Sequence, residues 1–187
     1  MKYEVEYKVE LTEDEVKTLK ELFATKNFPS KGIDQQDDYY IEAKESPIYK
    51  GFDLKRYRNE SGTIIYTEKI WEMAGNTPAR KEIEHIVSQE EFEKAISKYP
   101  EAVKIKKQRE WFTGNSKDLS NISITIDTVK FDHSPSIRYF IEAETNTDNI
   151  NEVKDLKEKI IEFLKDILNK NQIIESPRMF NMAFKKL

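Results

Sequence analysis

The chain contains no cysteine, which excludes disulfides, zinc–thiolate sites and thiol catalysis together. Glycine is scarce, at five residues, and no stretch is rich in proline and glycine, so no linker or internal repeat is expected. Only two histidines, His85 and His133, are present, which argues against a histidine-rich metal centre. No apolar run approaches the roughly 20 residues that span a bilayer, so no membrane partner is expected. The opening Met-Lys-Tyr-Glu-Val-Glu carries acid early and has no hydrophobic segment, so it does not read as a signal peptide. The expected location is therefore cytoplasmic. Neither sign of charge dominates: 31 basic and 35 acidic residues give a net charge of −4. That balance lacks the positive field that non-specific nucleic-acid binding needs.

What is present points to a packed core. Aromatic residues reach 11% of 187 residues, enough for one domain, read as spanning 1–187. Tyr3, Val5, Tyr7, Val9 and Leu11 alternate with Glu4, Glu6, Lys8 and Glu10, the period of a strand with one buried face. Thr12 and Glu15 then form a capping-box pattern before the apolar stripe of Val16, Leu19, Leu22 and Phe23. Further strands are expected near 37–43, 53–59, 63–71, 80–87, 104–112, 121–130 and 137–145. Ser88 and Glu91 repeat the capping box ahead of a helix ending near Pro100, and a third helix is expected near 149–170. The tail from 177 to 187 can form a helical turn or two. The fold class is thus α+β, with antiparallel strands and helices outside them.

Charge falls on one face of strand after strand. Arg56 and Arg58, Thr67 and Lys69, Arg80 with Glu82 and Glu84, Lys107 and Arg109, and Glu142 and Glu144 all alternate. Any one such strand is adequately explained by a solvated face. Together they mix both signs within the same strands, and closure into a barrel would turn those faces inward. Buried charge is costly unless paired, so a lumen of both signs calls for a ligand and ions that complete the pairing. A triphosphate with a hard divalent cation does so: bases hold phosphate oxygens, and carboxylates hold Mg2+ or Mn2+.

Glu4-Val5-Glu6-Tyr7-Lys8 resembles the ExExK motif of the CYTH superfamily, the triphosphate tunnel metalloenzymes. The family's later motifs follow in order. Gln35, Asp37, Tyr39 and Tyr40 are similar to its Q-x-D-x-Y-[YF] strand, and Arg56-Tyr57-Arg58 and Thr67-Glu68-Lys69 to its next two. Arg80 to Glu84, Lys107 to Arg109, Asp127 to Val129 and Phe140 to Glu144 complete a resemblance over about residues 3 to 145. It implies a closed antiparallel eight-stranded barrel with helices packed outside. It also implies metal ligands at Glu4, Glu6, Glu142 and Glu144, with Asp127 assisting and Glu82 and Glu84 holding a second metal or orienting bases. Lys8, Arg56, Arg58, Lys69, Arg80, Lys107 and Arg109 would hold phosphate oxygens. Lys55, Tyr57 and Ile70-Trp71 depart from the family pattern and are expected to point away from the lumen.

His85 alternates out of phase with Glu82 and Glu84 and reads as an outer residue, and His133 reads as part of a turn. Trp71 and Trp111 read as packing residues or as flanks for a base at the tunnel mouth. Arg178 to Phe184 is similar to the ending of bacterial inorganic triphosphatases, whose tail can plug one tunnel end. Hydrolysis of inorganic, thiamine or nucleoside triphosphate by a monomer or homodimer is expected, and the tail resemblance favours a small substrate over a nucleotide. A class IV-type adenylyl cyclase making cyclic AMP and a non-catalytic polyphosphate binder are the alternatives. Lys69, expected beside Arg56 and Arg58, would have a depressed pKa and could act as the catalytic base.

Overall fold

The alternation at the N-terminus becomes strand β1, Tyr3–Leu11, in the computed structural model. The structure describes residues 3–26, 28–47, 52–74, 77–114, 122–131 and 134–185, so His133 lies outside the described residues. Thr12 ends the strand and starts helix α1, Glu13–Thr25. Its hydroxyl accepts the Glu15 N–H at 3.2 Å, and the Glu15 carboxylate accepts the Thr12 N–H at 2.7 Å. Strands β2 (Ser30–Glu45), β3 (Phe52–Glu60), β4 (Thr63–Ala74) and β5 (Thr77–Ile86) follow. Ser88 and Glu91 repeat the capping box before α2, Gln89–Lys98. Then come β6 (Val103–Gly114), β7 (Ile122–Phe131) and β8 (Ile137–Thr147). The expected third helix is a 3-10 turn, Ile150–Glu152, running into α3, Val153–Leu168. Asn169 stops it in the left-handed conformation, and α4, Met179–Lys185, ends the description.

The eight strands close in the order β1-β5-β4-β3-β2-β6-β7-β8, every neighbour antiparallel. β1 pairs with β8 along its whole length but, among the described residues, meets β5 only at Tyr3↔Lys81 and Glu4↔Arg80. The β3–β4 hairpin turns through Ser61 and Gly62, at φ 49° and 94°. Two consecutive positive-φ residues match the twist of the flanking strands, and Asn59 Oδ1 accepts the Gly62 N–H at 2.9 Å.

Period two sends the apolar residues of β1, β7 and β8 outward under the helices. Val5, Ile124 and Ile141 pack in one cluster with Leu19 and Phe23 of α1 and Ile160 and Leu164 of α3. Each such side chain stabilises by roughly 1.5–3 kcal/mol on burial. Gly114 belongs to this packing, since a Cβ there would stand 2.4 Å from the Phe28 ring. A second cluster fills one end of the barrel interior. Ile105, Val129, Phe131 and Phe140 meet Met179 and Met182 of α4 there. Phe180 adds its ring 5.2 Å from Tyr40 and 5.5 Å from Phe52.

β2 is longer than the strand expected near 37–43, and its pairing sets which of its residues face inward. Gln36 and Asp38 are buried on the inner face, while Gln35 is exposed and Asp37 half-buried. Tyr39 also points outward, against Phe92 of α2. Trp71 is a correction to the sequence reading. It shares the face of Lys69, is buried, and lies under the guanidinium groups of Arg178 and Arg80 at 5.0 and 5.7 Å.

Candidate active site

Alternation on eight strands leaves a charged chamber inside the barrel, with a volume of about 180 Å³. Every base named from the sequence lines it: Lys8, Arg56, Arg58, Lys69, Arg80, Lys107 and Arg109. Glu4, Glu6, Glu82, Glu84, Glu142 and Glu144 line it as well, but Asp127 does not. His85 stays outside, exposed, with its ring 5.0 Å from that of Tyr66. Within the Lys104–Lys107 cluster, Lys104 and Lys106 are exposed and Lys107 is buried, as a strand with one inner face requires.

The charges pair across strands. Lys69 Nζ lies between Glu4 of β1, at 2.9 Å, and Glu82 of β5, at 2.8 Å. Arg80 reaches Glu6 at 3.4 Å, and Arg178 from the tail binds the same carboxylate oxygen. Lys8 pairs with Glu142, which also accepts from Arg109 Nη2 at 3.1 Å. Arg56 donates to Thr67 at 3.0 Å, and Thr67 donates to Glu84 at 2.9 Å. On the inner face of β2, Asp38 binds Arg58 through Nε at 2.7 Å and Nη2 at 3.3 Å.

One expectation fails on this geometry, and Asp127 stands apart from the lining acids, with both its oxygens bonded by Arg109 at 2.6 and 2.7 Å. Lys69 is not crowded by cations. Leu54 and Glu82 flank it in the sheet, and Arg56 is paired to Thr67 instead. Burial alone would lower its pKa, but Glu4, Glu82 and Glu6 outweigh burial and raise it. The lysine with a depressed pKa is Lys107, pushed down by burial and then by Arg109 and Arg58.

The acids divide in the same way. Glu6 is held below the usual carboxylate range; burial opposes this, and Arg178, Lys69 and Lys8 prevail. Glu4 is pushed up to about 8, chiefly by burial and also by Glu6 and Glu82, against the pull of Lys69. Glu144 also rises to about 8, through burial and the nearby Glu4 and Glu142. Carboxylates crowded to that degree lack cationic charge, and an oxygen-only donor set suits a hard divalent ion. Among the described residues, no group of three such side chains forms a ready metal cage.

Glu4 and Glu6 stand on β1 and Glu142 and Glu144 on β8, opposite β2 and β3 in the closed strand order, and Glu82 and Glu84 stand on β5. Sequence reasoning missed Asp38 and the placement of Arg178. Asp38 was legible only as one of two adjacent aspartates, and Arg178 only as part of the tail pattern.

The CYTH domain family model matches residues 2–172. A search of curated proteins finds no match. Among solved structures, a protein from Pyrococcus horikoshii OT3 is 20% identical at a TM-score of 0.67, covering 99% of this chain and all of its own. A protein from Hippeastrum, described as an adenylyl cyclase candidate with a dominant triphosphatase activity, is 13% identical at a TM-score of 0.63. That match covers 100% of this chain and 96% of the other. An adenylate cyclase candidate from Bacillus halodurans, 13% identical, has a TM-score of 0.64 with 98% of each chain covered. At these identities the likeness is one of fold.

Proposed function

The chain belongs to the CYTH family, and on that premise we propose that it hydrolyses a small triphosphate in the barrel chamber with a divalent cation. The observation that carries this reading is the opposition of two walls. Glu4 and Glu144 on β1 and β8 are crowded by neighbouring carboxylates, while Arg56 and Arg58 of β3 and Lys107 of β6 line the chamber from strands that pair with neither. Glu4, Glu6 and Glu144 would hold Mg2+ or Mn2+, with Glu142 beside them and Glu82 and Glu84 orienting Lys69 and Thr67. Such an ion supplies charge neutralisation at phosphate oxygens. Arg56 and Arg58 would grip the phosphates, and Lys8, Lys69, Arg80, Lys107 and Arg109 complete the cationic lining. Because carboxylates of β1 and β5 flank Lys69, it is assigned to phosphate binding.

Chamber size bears on the substrate. About 180 Å³ is smaller than the roughly 300–1,000 Å³ of ordinary ligand pockets. Met179 and Phe180 of the tail line it too, which supports a plugging role for the tail. Both features favour inorganic triphosphate over a substrate carrying a base and ribose. Cyclisation of ATP is the second reading, favoured by Trp111, which lines the chamber where a base could stack. A panel of inorganic, thiamine and nucleoside triphosphates with Mg2+ and Mn2+, read for phosphate and for cyclic nucleotide, tests the proposal. Phosphate release from inorganic triphosphate is expected. Cyclic AMP as the main product would overturn it, and binding without any product would leave a polyphosphate-binding module.

A further inference from the structure

We propose that Asp38 is a positioning residue that fixes the cationic wall of the chamber, a role that rests on the triphosphate reading above. Its strand, β2, lies between β3 and β6 in the barrel, so it can join cations whose own strands never pair. From β3, Arg58 lays its fork on both oxygens of Asp38, and Arg56 Nη1 stands 3.7 Å from Oδ2. From β6, Lys107 Nζ stands 3.5 Å from the same Oδ2. Asp38 is 1% exposed and does not line the chamber, whereas all three cations do. The carboxylate sits behind the cations, away from any ligand they hold.

Three cations against one carboxylate leave a surplus of positive charge directed at the lumen. Unscreened, such neighbours repel strongly in a dry interior, and a shared anion lets them stay close. The fork also fixes the plane of the Arg58 guanidinium, and with it the direction of its free N–H groups. While Lys107 stays protonated, removing the charge of Asp38 makes the wall more positive, so attraction for a polyanion does not fall in that pH range. Direction is what would be lost, and direction governs turnover more than affinity.

The test compares wild type, Asp38→Asn and Asp38→Glu with inorganic tripolyphosphate and Mg2+, measuring turnover, and binding across alkaline pH. For Asp38→Asn, kcat is expected to fall at least about tenfold while Kd changes less than about threefold. A second readout is one that lost packing alone would not move. Lys107 is faced by Asp38 from β2, Arg58 from β3, Arg109 on its own strand and Asp127 from β7. Burial and the two arginines lower its pKa, and the two aspartates raise it. Without the Asp38 charge the ammonium deprotonates at lower pH, so the alkaline loss of tripolyphosphate binding moves to lower pH. Asp38→Glu keeps the charge but displaces the fork, giving reduced kcat with the binding limb unmoved. If the Asn variant does not fold, that combination in the Glu variant decides the matter. Wild-type kcat in Asp38→Asn with an unmoved limb, or Kd weakening in step with kcat, would overturn the proposal. A wild-type chain that binds tripolyphosphate without turning it over sinks the hydrolase reading alone, and the binding limb still decides Asp38. One that binds none sinks both.

Discussion

Arg109 holds Asp127 through two parallel bonds of 2.6 and 2.7 Å, and Asp127 has no exposed surface. With both oxygens committed, Asp127 anchors Arg109, which the proposed function assigns to the cationic lining. Asp127→Asn should therefore cost stability and leave the metal requirement alone. Breaking a buried pair costs about 3–5 kcal/mol. In a domain of this size each kcal/mol moves Tm by roughly 2–4 °C, so a drop on the order of 10 °C is expected in a thermal melt. The Mg2+ concentration for half-maximal turnover should stay within about threefold of wild type. A large rise in that concentration with an unchanged melt would return Asp127 to the metal ligands.

Glu144 gives the opposite expectation. It is crowded by Glu4 and Glu142, and its pKa is pushed up to about 8 chiefly by burial. Glu144→Gln removes charge from an overcharged wall, so the metal-free protein should melt no lower than wild type. Its Mg2+ requirement should rise at least the roughly tenfold seen when even groups supporting a metal ligand are lost. Chelator should abolish wild-type turnover, and full activity in its presence would remove the metal from the reaction.

Lys69 lies between Glu4 and Glu82, at 2.9 and 2.8 Å, and lines the chamber. As a phosphate holder it should accept Arg in part. Lys69→Arg is expected to keep kcat within about tenfold of wild type, with the alkaline limb of the rate profile unchanged. Lys69→Met should lose much more. Collapse of turnover in the Arg variant with tripolyphosphate binding intact would bring back the general base.

The strands were legible because charge alternates with apolar side chains at every second position, as Glu4, Glu6 and Lys8 do with Val5, Tyr7 and Val9. β2 was legible as a strand but not in phase. Gln35-Gln36-Asp37-Asp38-Tyr39-Tyr40 doubles each residue type, so the same pattern reads equally well one residue either way. Only pairing with Arg58 and Lys107 settles that Asp38 points inward. The environment of Lys69 was illegible for a related reason. Which residues flank it depends on register, which brings Glu82 beside Lys69 and Arg56 beside Thr67. Spacing within one strand carries no information about its neighbours. Asp127 was legible as a strand residue, but the commitment of both its oxygens to Arg109 is again a cross-strand fact.

The buried aspartates also set the response to acid. Burial alone would raise the Asp38 carboxyl, but Arg58, Lys107 and Arg56 hold it well below the ordinary range. Asp127 is lowered in the same manner, against burial, by Arg109 and Lys107. An aspartate in the unfolded chain takes a proton near pH 4, so in acid the unfolded state binds more protons than the native one. The stabilisation is complete at neutral pH, begins to fade as pH falls through about 5, and continues to fade towards the lower native values. Urea unfolding in the presence of chelator, from neutral pH down to about 3, measures this directly. At neutral pH, Asp127→Asn should unfold at lower urea than wild type. The gap should narrow as pH falls, because the wild-type carboxyl loses its advantage when its unfolded counterpart is already protonated. A gap that stays constant into acid would mean that side-chain shape at position 127, rather than the ionised pair with Arg109, carries the stability.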